Sequence, residues 1–134
     1  MNREIKFRGK SLVGIGNIKK GDWVYGGIAY DTDRVWIDMP YYGQILVDKK
    51  TVGQYTGLHD KNGKEIYERD IVRIIVNNNI EKICKVEFKN GIFGVMFSKN
   101  KDLTAFPHFC NTTFEVIGNV YDNPEMLKGE TEIE

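Results

Sequence analysis

The chain has 134 residues, a 41% hydrophobic fraction and a formal net charge of zero, from 19 basic and 19 acidic residues. That size suits one compact domain or two small subdomains sharing a core, and the apolar fraction excludes wholesale disorder. Balanced charge removes the drive for sequence-independent DNA binding, which comes from neutralising phosphates, unless the charge is segregated along the chain.

Some segregation exists at the two ends. Residues 1–20 carry Arg3, Lys6, Arg8, Lys10, Lys19 and Lys20 against Glu4 alone. Residues 122–134 carry Asp122, Glu125, Glu130, Glu132 and Glu134 against Lys128. Two solvated ends are the plain reading; a basic arm on nucleic acid, or head-to-tail contacts between subunits, are the sharper ones. The two cysteines, Cys84 and Cys110, make no disulfide framework. Met1–Lys10 is charged throughout and lacks the apolar run of a signal peptide. No window reaches membrane-spanning length, so the soluble cytoplasm is the expected location.

Glu4–Arg8 alternates strictly, placing Ile5 and Phe7 on one face and Lys6 and Arg8 on the other, as in a half-buried strand with a basic outer surface. Gly9–Gly21, with Gly14, Gly16 and Asn17, reads as a loop or irregular hairpin. Asp22–Tyr25 opens a second strand, interrupted at Gly26-Gly27, where a glycine pair signals a bulge or a close backbone approach, before Ile28–Tyr30. Asp31–Asp33 is a turn and Arg34–Asp38 the returning strand. Met39–Gly43 is a corner around Pro40, which cannot donate to a ladder. Gln44–Val47 is a short strand ending at Asp48-Lys49-Lys50.

Asp60-Lys61-Asn62-Gly63-Lys64 concentrates turn formers, and Asn62-Gly63 suits a tight two-residue hairpin in which both residues take positive φ. Beyond it, Asp70–Val76, Ile80–Phe88, Ile92–Phe97, Leu103–Phe106 and Thr113–Tyr121 are five strand candidates. Asn77–Asn79 and Asn90-Gly91 supply hairpin turns between the first three. Five short antiparallel strands suggest a Src-homology-3-like (SH3-like) barrel, with an oligonucleotide-binding barrel as competitor. A turn of helix fits Pro124–Lys128. The expected class is therefore all-β, with an antiparallel N-terminal β region (1–50), a linking hairpin (51–63), an SH3-like five-stranded barrel (64–121) and an acidic tail (128–134). Asp70–Val76 and Ile92–Phe97 are apolar on both faces, which requires cover on both sides of the sheet: Ile71, Ile75, Ile92 and Met96 need it as well as Val72 and Val95. The cover would be the N-terminal region or another copy of the chain.

Residues of catalytic or metal-binding type are few. His59, His108, Cys84 and Cys110 form no Cys-x-x-Cys pair, and only His108-x-Cys110 has local ligand spacing. Cys84 shares the parity of Val86 and Phe88, which reads as a core thiol. Nothing flags an activated Cys–His pair. Asp60, Glu65, Glu68 and Asp70, with Asp22, would have to converge to bind a divalent ion or act as acid and base. Asp at a turn instead usually bonds its own backbone. No cofactor and no catalytic or metal-binding residue is assigned, and the expectation leans away from an enzyme. Small barrels bind single strands by stacking bases on exposed aromatics in a basic groove. The candidate partner-binding residues on that reading are Lys6, Arg8, Trp23, Tyr25, Trp36, Tyr41, Tyr42, Tyr55 and Tyr67, with Lys49 and Lys50 nearby in sequence; burial of the rings in the β core is the competing account.

Four separated blocks, in order, resemble the YopX family of phage and prophage proteins. They are Arg3–Lys10 (R-x-I-K-F-R-x-K), Gly21–Gly26 (W-V-Y-G), Thr51–Val72 (TVGQYTGL, NGKEIYE, DIV) and Phe114–Glu125 (E-V-I-G-N-x-Y-x-N-P-E). The resemblance implies a phage or prophage origin, a β-rich fold with a small SH3-like barrel, and self-association; it brings no catalytic residues. On this basis the expected function is that of a non-enzymatic, self-associating accessory protein that binds an unidentified phage or host protein, with no membrane partner. The alternatives are a single-stranded nucleic-acid binder and a carboxylate-based metal-dependent enzyme. One departure matters: the family pattern Tyr-Glu-Gly-Asp-Ile-Val has Arg69 in the glycine position. If that position needs φ > 0, an arginine there costs on the order of 1–2 kcal/mol.

Overall fold

A computed structural model describes residues 4–76, 80–97, 104–105 and 112–127. Ten antiparallel strands and one short helical turn at residues 125–127 make up the regular structure of those residues. The chain divides into two compact units, Met1–Gly57 and Leu58–Glu134.

In the first unit β1 (Phe7–Ser11), β2 (Trp23–Tyr30), β3 (Val35–Met39) and β4 (Gly43–His59) pair in the order β1-β2-β3-β4, and β1 also pairs with β4. The ladder therefore closes on itself into a barrel-like circuit within the N-terminal unit. Closure depends on β4 changing partners. Its start lies against β3 (Ile45 opposite Ile37), its second half against β1 (Gln54 opposite Phe7), and Val47 faces both Val35 and Ser11. The sequence expectation ended this strand at Asp48-Lys49-Lys50. Those residues instead bend it: the register of β1 on β4 slips between Arg8 and Lys10, the Asp48 carboxylate accepts the Lys50 amide, and the Thr51 hydroxyl donates to the Asp48 carbonyl. Bulges of this kind add twist and let a strand turn a corner. Val24, Ile37, Ile45, Val47 and Ile18 form the core, with Phe7, Val35, Met39, Tyr42 and Val52 packed around it.

β2 runs without interruption through Gly26-Gly27, and the close approach predicted there is present at Gly26. A Cβ on it would run into the Asp38 carbonyl oxygen, whereas one on Gly27 would meet only the Asp38 Cβ at 3.9 Å.

In the second unit the chain turns at Asp60–Lys64 into β5 (Glu65–Tyr67), the ladder neighbour of β4. The five remaining strands are β6 (Asp70–Val76), β7 (Ile80–Lys89), β8 (Ile92–Phe97), β9 (Thr104–Ala105) and β10 (Thr112–Asn119), in the order β10-β6-β7-β8-β9. This matches the five expected strands closely; β10 ends two residues earlier than predicted, and the predicted ends of β9 lie outside the described residues. Asn90 and Gly91 have φ of 55° and 82°, the pair of positive values that a two-residue hairpin turn demands. The turn expected at Asn77–Asn79 lies outside the described residues. One face of the sheet buries Val72, Ile74, Cys84, Val86 and Val95 against Ile66, with Phe93, Phe114 and Val116 packed on them. Cys84 is thus the core thiol its parity implied.

The opposite face is mixed. Ile71 is fully buried and Ile75 and Met96 are half-buried, but Ile92, in the last ladder pair before the Asn90-Gly91 turn, is 46% exposed. Cover is present at Ile71, whereas within a single copy Ile92 has none that buries it. Charges share this side: Arg73 pairs with Glu115 opposite it at 3.1 Å, and Glu87 with Lys85 at 3.1 Å.

Candidate functional site

The motif residues do architectural work. Asp60 is buried, and its Oδ1 accepts the amides of Asn62 and Lys64 (both 2.8 Å), while Oδ2 accepts that of Val116 at 2.9 Å. Burial pushes its carboxyl up, but the three amides and the Lys64 charge outweigh it and hold the pKa below the ordinary carboxylate value. The hairpin here is longer than the two-residue turn predicted. Gly63 donates to the Asp60 carbonyl, Asp60 donates to the Lys64 carbonyl, and Gly63 alone has positive φ (83°). That is a three-residue loop closed by a glycine bulge, and Asn62 needs no left-handed backbone. The loop also covers β10, a sheet edge: Lys61 donates to the Phe114 carbonyl at 2.8 Å and Asp60 takes the Val116 amide. Exposed edges invite pairing with other chains, and this one is capped from within.

Asp70 is buried and accepts the Tyr67 amide at 2.7 Å across the Glu68-Arg69 turn. Arg69 has φ 72°, so the position does take the left-handed backbone for which the family pattern carries glycine. Its side chain reaches Glu87 Oε1 at 2.8 Å and the Tyr121 hydroxyl at 3.4 Å. Burial works against its charge, yet Glu87 and Tyr121 raise its pKa above the usual value. Glu65 accepts the Tyr67 hydroxyl at 2.9 Å. The Gly118–Glu125 block is a second such knot. Asn119 Oδ1 accepts the amides of Tyr121 and Asp122, Asn123 Oδ1 accepts that of Asn119, and a Cβ on Gly118 would lie 2.5 Å from Asn123 Oδ1. The helical turn follows, with the Met126 amide on the Asn123 carbonyl.

Asp22, Asp60, Glu65 and Asp70 are therefore spent separately on backbone and tyrosine donors. Among the described residues no group of three His, Cys, Asp or Glu is placed to hold a metal ion. His59 is exposed; His108 and Cys110 lie outside the described residues.

The residues proposed for partner binding fall into three groups. Tyr55 and Tyr67 are buried, and Tyr42 packs on the first core. Arg8, Trp23 and Tyr25 share one face of β1 and β2, with Arg8 opposite Tyr25 and Lys10 opposite Trp23, and Lys6 just precedes β1. Arg8 is only 6% exposed, contrary to the basic outer surface expected of it. Its guanidinium lies 4.5 Å from the Trp23 ring centroid, with the Lys10 ammonium at 5.4 Å and Lys6 5.5 Å from Tyr55. Cations occupy the ring faces here, as Arg34 does over Trp36 at 5.1 Å. Tyr25 and Tyr41 are exposed, and Tyr41 is fully so. The exposed Leu12, Val13 and Ile15, and Tyr30, were not singled out by the sequence reading. Three aliphatic residues within a glycine-rich loop, without strand alternation, were the available signal.

A family profile described as YopX protein matches residues 10–128. The chain belongs to the YopX family. It is 44% identical over 71 residues to the SPbeta prophage-derived uncharacterized protein YopX of Bacillus subtilis (strain 168); the match takes in 50% of this chain and spans 53% of that relative. The crystal structure of protein YopX from Bacillus subtilis superposes with a TM-score of 0.57 at 26% identity, over 91% of this chain and 97% of that one. A crystal structure of a protein from Enterococcus faecalis gives 0.55 at 22% identity, over 94% and 99%. The mainly β, antiparallel class and the YopX resemblance read from the sequence are both correct.

Proposed function

We propose that this YopX-family chain is a phage- or prophage-encoded accessory protein of the host-cell cytoplasm that acts by binding, not catalysis, and associates with copies of itself. The observation that carries the reading is a division of labour. Polar groups of the motif blocks are consumed in holding turns, while large apolar side chains outside both cores stand in water, Phe88 and Ile92 (49% and 46% exposed) at the tip of β7–β8 among them. Exposed large apolar side chains favour contacts between macromolecules. The prophage origin rests on the Bacillus subtilis relative's name. In this reading the second sheet curls, with the Asp60 hairpin, into the SH3-like barrel. Sedimentation equilibrium tests it: a mass rising with concentration to a multiple of 15.4 kDa is expected, and a strict monomer throughout would refute it.

A second reading, a single-stranded nucleic-acid binder, is favoured by one observation: Lys10 and the largely buried Arg8 lie opposite Trp23 and Tyr25 across β1 and β2. Stacking would fall to Tyr25, because cations already cover Trp23. A labelled oligonucleotide titrated at low salt, where phosphate contacts are strongest, decides it; no binding there ends the reading.

A further inference from the structure

One end of the first unit presents apolar side chains on a rigid support. β1 and β4 are antiparallel with Ser11 opposite Val47, so the chain leaving β1 runs toward the start of β4, where the β3–β4 turn also lies. Leu12 donates to the Leu46 carbonyl at 2.9 Å, and a Cβ on Gly16 would lie 2.8 Å from the Tyr42 ring. The loop is pinned at several points. The Ser11 hydroxyl both donates to the Val13 carbonyl and accepts its amide, Ile15 and Ile18 exchange two backbone bonds of 2.9 Å, and Gly21 returns to the Ser11 carbonyl at 2.7 Å. Yet Leu12, Val13 and Ile15 are 42%, 38% and 44% exposed. Beside them Tyr41 is fully exposed with φ 71°, so it contributes no packing and occupies a backbone region that a bulky side chain disfavours. A surface held stiff before binding loses little entropy when a partner arrives.

Charge narrows the partner. From Lys10 to Gly21 the chain carries Lys10, Lys19 and Lys20 and no acidic residue, and the first carboxylate beyond, Asp22, accepts the Lys19 amide. Two copies meeting patch to patch would set these lysines against each other. The complement is an acidic segment with an apolar residue, and the sequence carries one in Gly129-Glu130-Thr131-Glu132-Ile133-Glu134.

We infer that the acidic segment 129–134 of one copy docks on the Leu12–Ile15 and Tyr41 end of another, with Ile133 on the apolar side chains and the glutamates toward Lys19 and Lys20. The inference deepens the proposed self-association and rests on it. Contacts of this head-to-tail kind use two different surfaces, so they build rings or filaments rather than isologous dimers.

The test is sedimentation equilibrium on the full chain, on a chain shortened after Lys128, and on full-length Tyr41→Asn and Lys19→Glu/Lys20→Glu variants. Asparagine tolerates left-handed backbone, so Tyr41→Asn keeps the fold while removing the ring. Each change is expected to raise the concentration needed for association by roughly tenfold or more, the usual consequence of removing an interface anchor. A synthetic peptide of residues 128–134, titrated into the shortened chain, is expected to shift amide signals of residues 12–20 and 40–43; a peptide with lysine for each glutamate should not. If the shortened chain associates like the full one, the docking inference is wrong while self-association stands. If the full chain is a monomer at every concentration, both fall.

Discussion

Replacing Asp60 with asparagine isolates the link between the hairpin and β10. The amide keeps one oxygen, which can still serve Asn62 and Lys64, but presents an NH2 where Oδ2 accepts the Val116 amide. One charge-assisted hydrogen bond is lost, worth about 1.5–3 kcal/mol, and Val116 N–H is left facing a donor on a partly buried edge. A loss of about 2–3 kcal/mol at neutral pH follows, which urea unfolding would read as a lower midpoint with the same slope. The pH dependence gives a second handle. The folded pKa of Asp60 lies below its ordinary value of 3.8, so its contribution is fully present above the unfolded pKa and is lost as pH falls through the folded one. The stability gap between the native chain and Asp60→Asn should therefore be flat from neutral pH down to about pH 5 and narrow below about pH 4. A gap under about 0.5 kcal/mol at neutral pH, or one that widens in acid, would refute the reasoning.

Three further pairs of substitutions test the backbone claims, all by chemical denaturation. At position 69, glycine should exceed alanine by about 1 kcal/mol, since both lose the Glu87 contact but only alanine keeps the left-handed strain; equal stabilities would show that φ 72° costs nothing. Arg69→Gly itself should change stability by less than about 1 kcal/mol, because relief of strain offsets loss of a half-exposed ion pair. Gly26→Ala should cost about 3 kcal/mol or prevent folding, whereas Gly27→Ala stays within about 1 kcal/mol; comparable costs would place the close approach wrongly. Gly63→Ala should lose about 1 kcal/mol and Asn62→Ala under about 0.5, the reverse order restoring the two-residue turn.

Legibility in the sequence varied with how local the cause was. Short apolar runs bounded by turn formers, and two-residue turn chemistry, act over a few residues, so β6, β8 and the Asn90-Gly91 turn could be placed almost to the residue. Glycine at 26 announced a backbone contact without naming Asp38, which lies a strand away. The continuation of β4 past Asp48-Lys49-Lys50 was illegible, because a charged triplet at a strand bend looks like one at a strand end. What separates them is the Thr51 and Asp48 bonding and the switch of partner from β3 to β1, a property of the closed ladder. Motif carboxylates were readable as turn residues from local chemistry at Asp60 and Asp70, but the reach of Asp60 to Val116 spans 56 positions and leaves no local trace. Among the binding candidates, side-chain type alone could not separate buried Tyr55 and Tyr67 from exposed Tyr25 and Tyr41.

The proposed self-association runs through the rigid apolar end of the first unit. Hydrogen–deuterium exchange followed by mass spectrometry tests that most directly, comparing peptides spanning residues 10–22 and 38–46 at low and high protein concentration. Slower exchange in both peptides at high concentration, with the Asp60–Lys64 hairpin unchanged, is the predicted result. Exchange in 10–22 and 38–46 that stays the same while the protein demonstrably associates would contradict it.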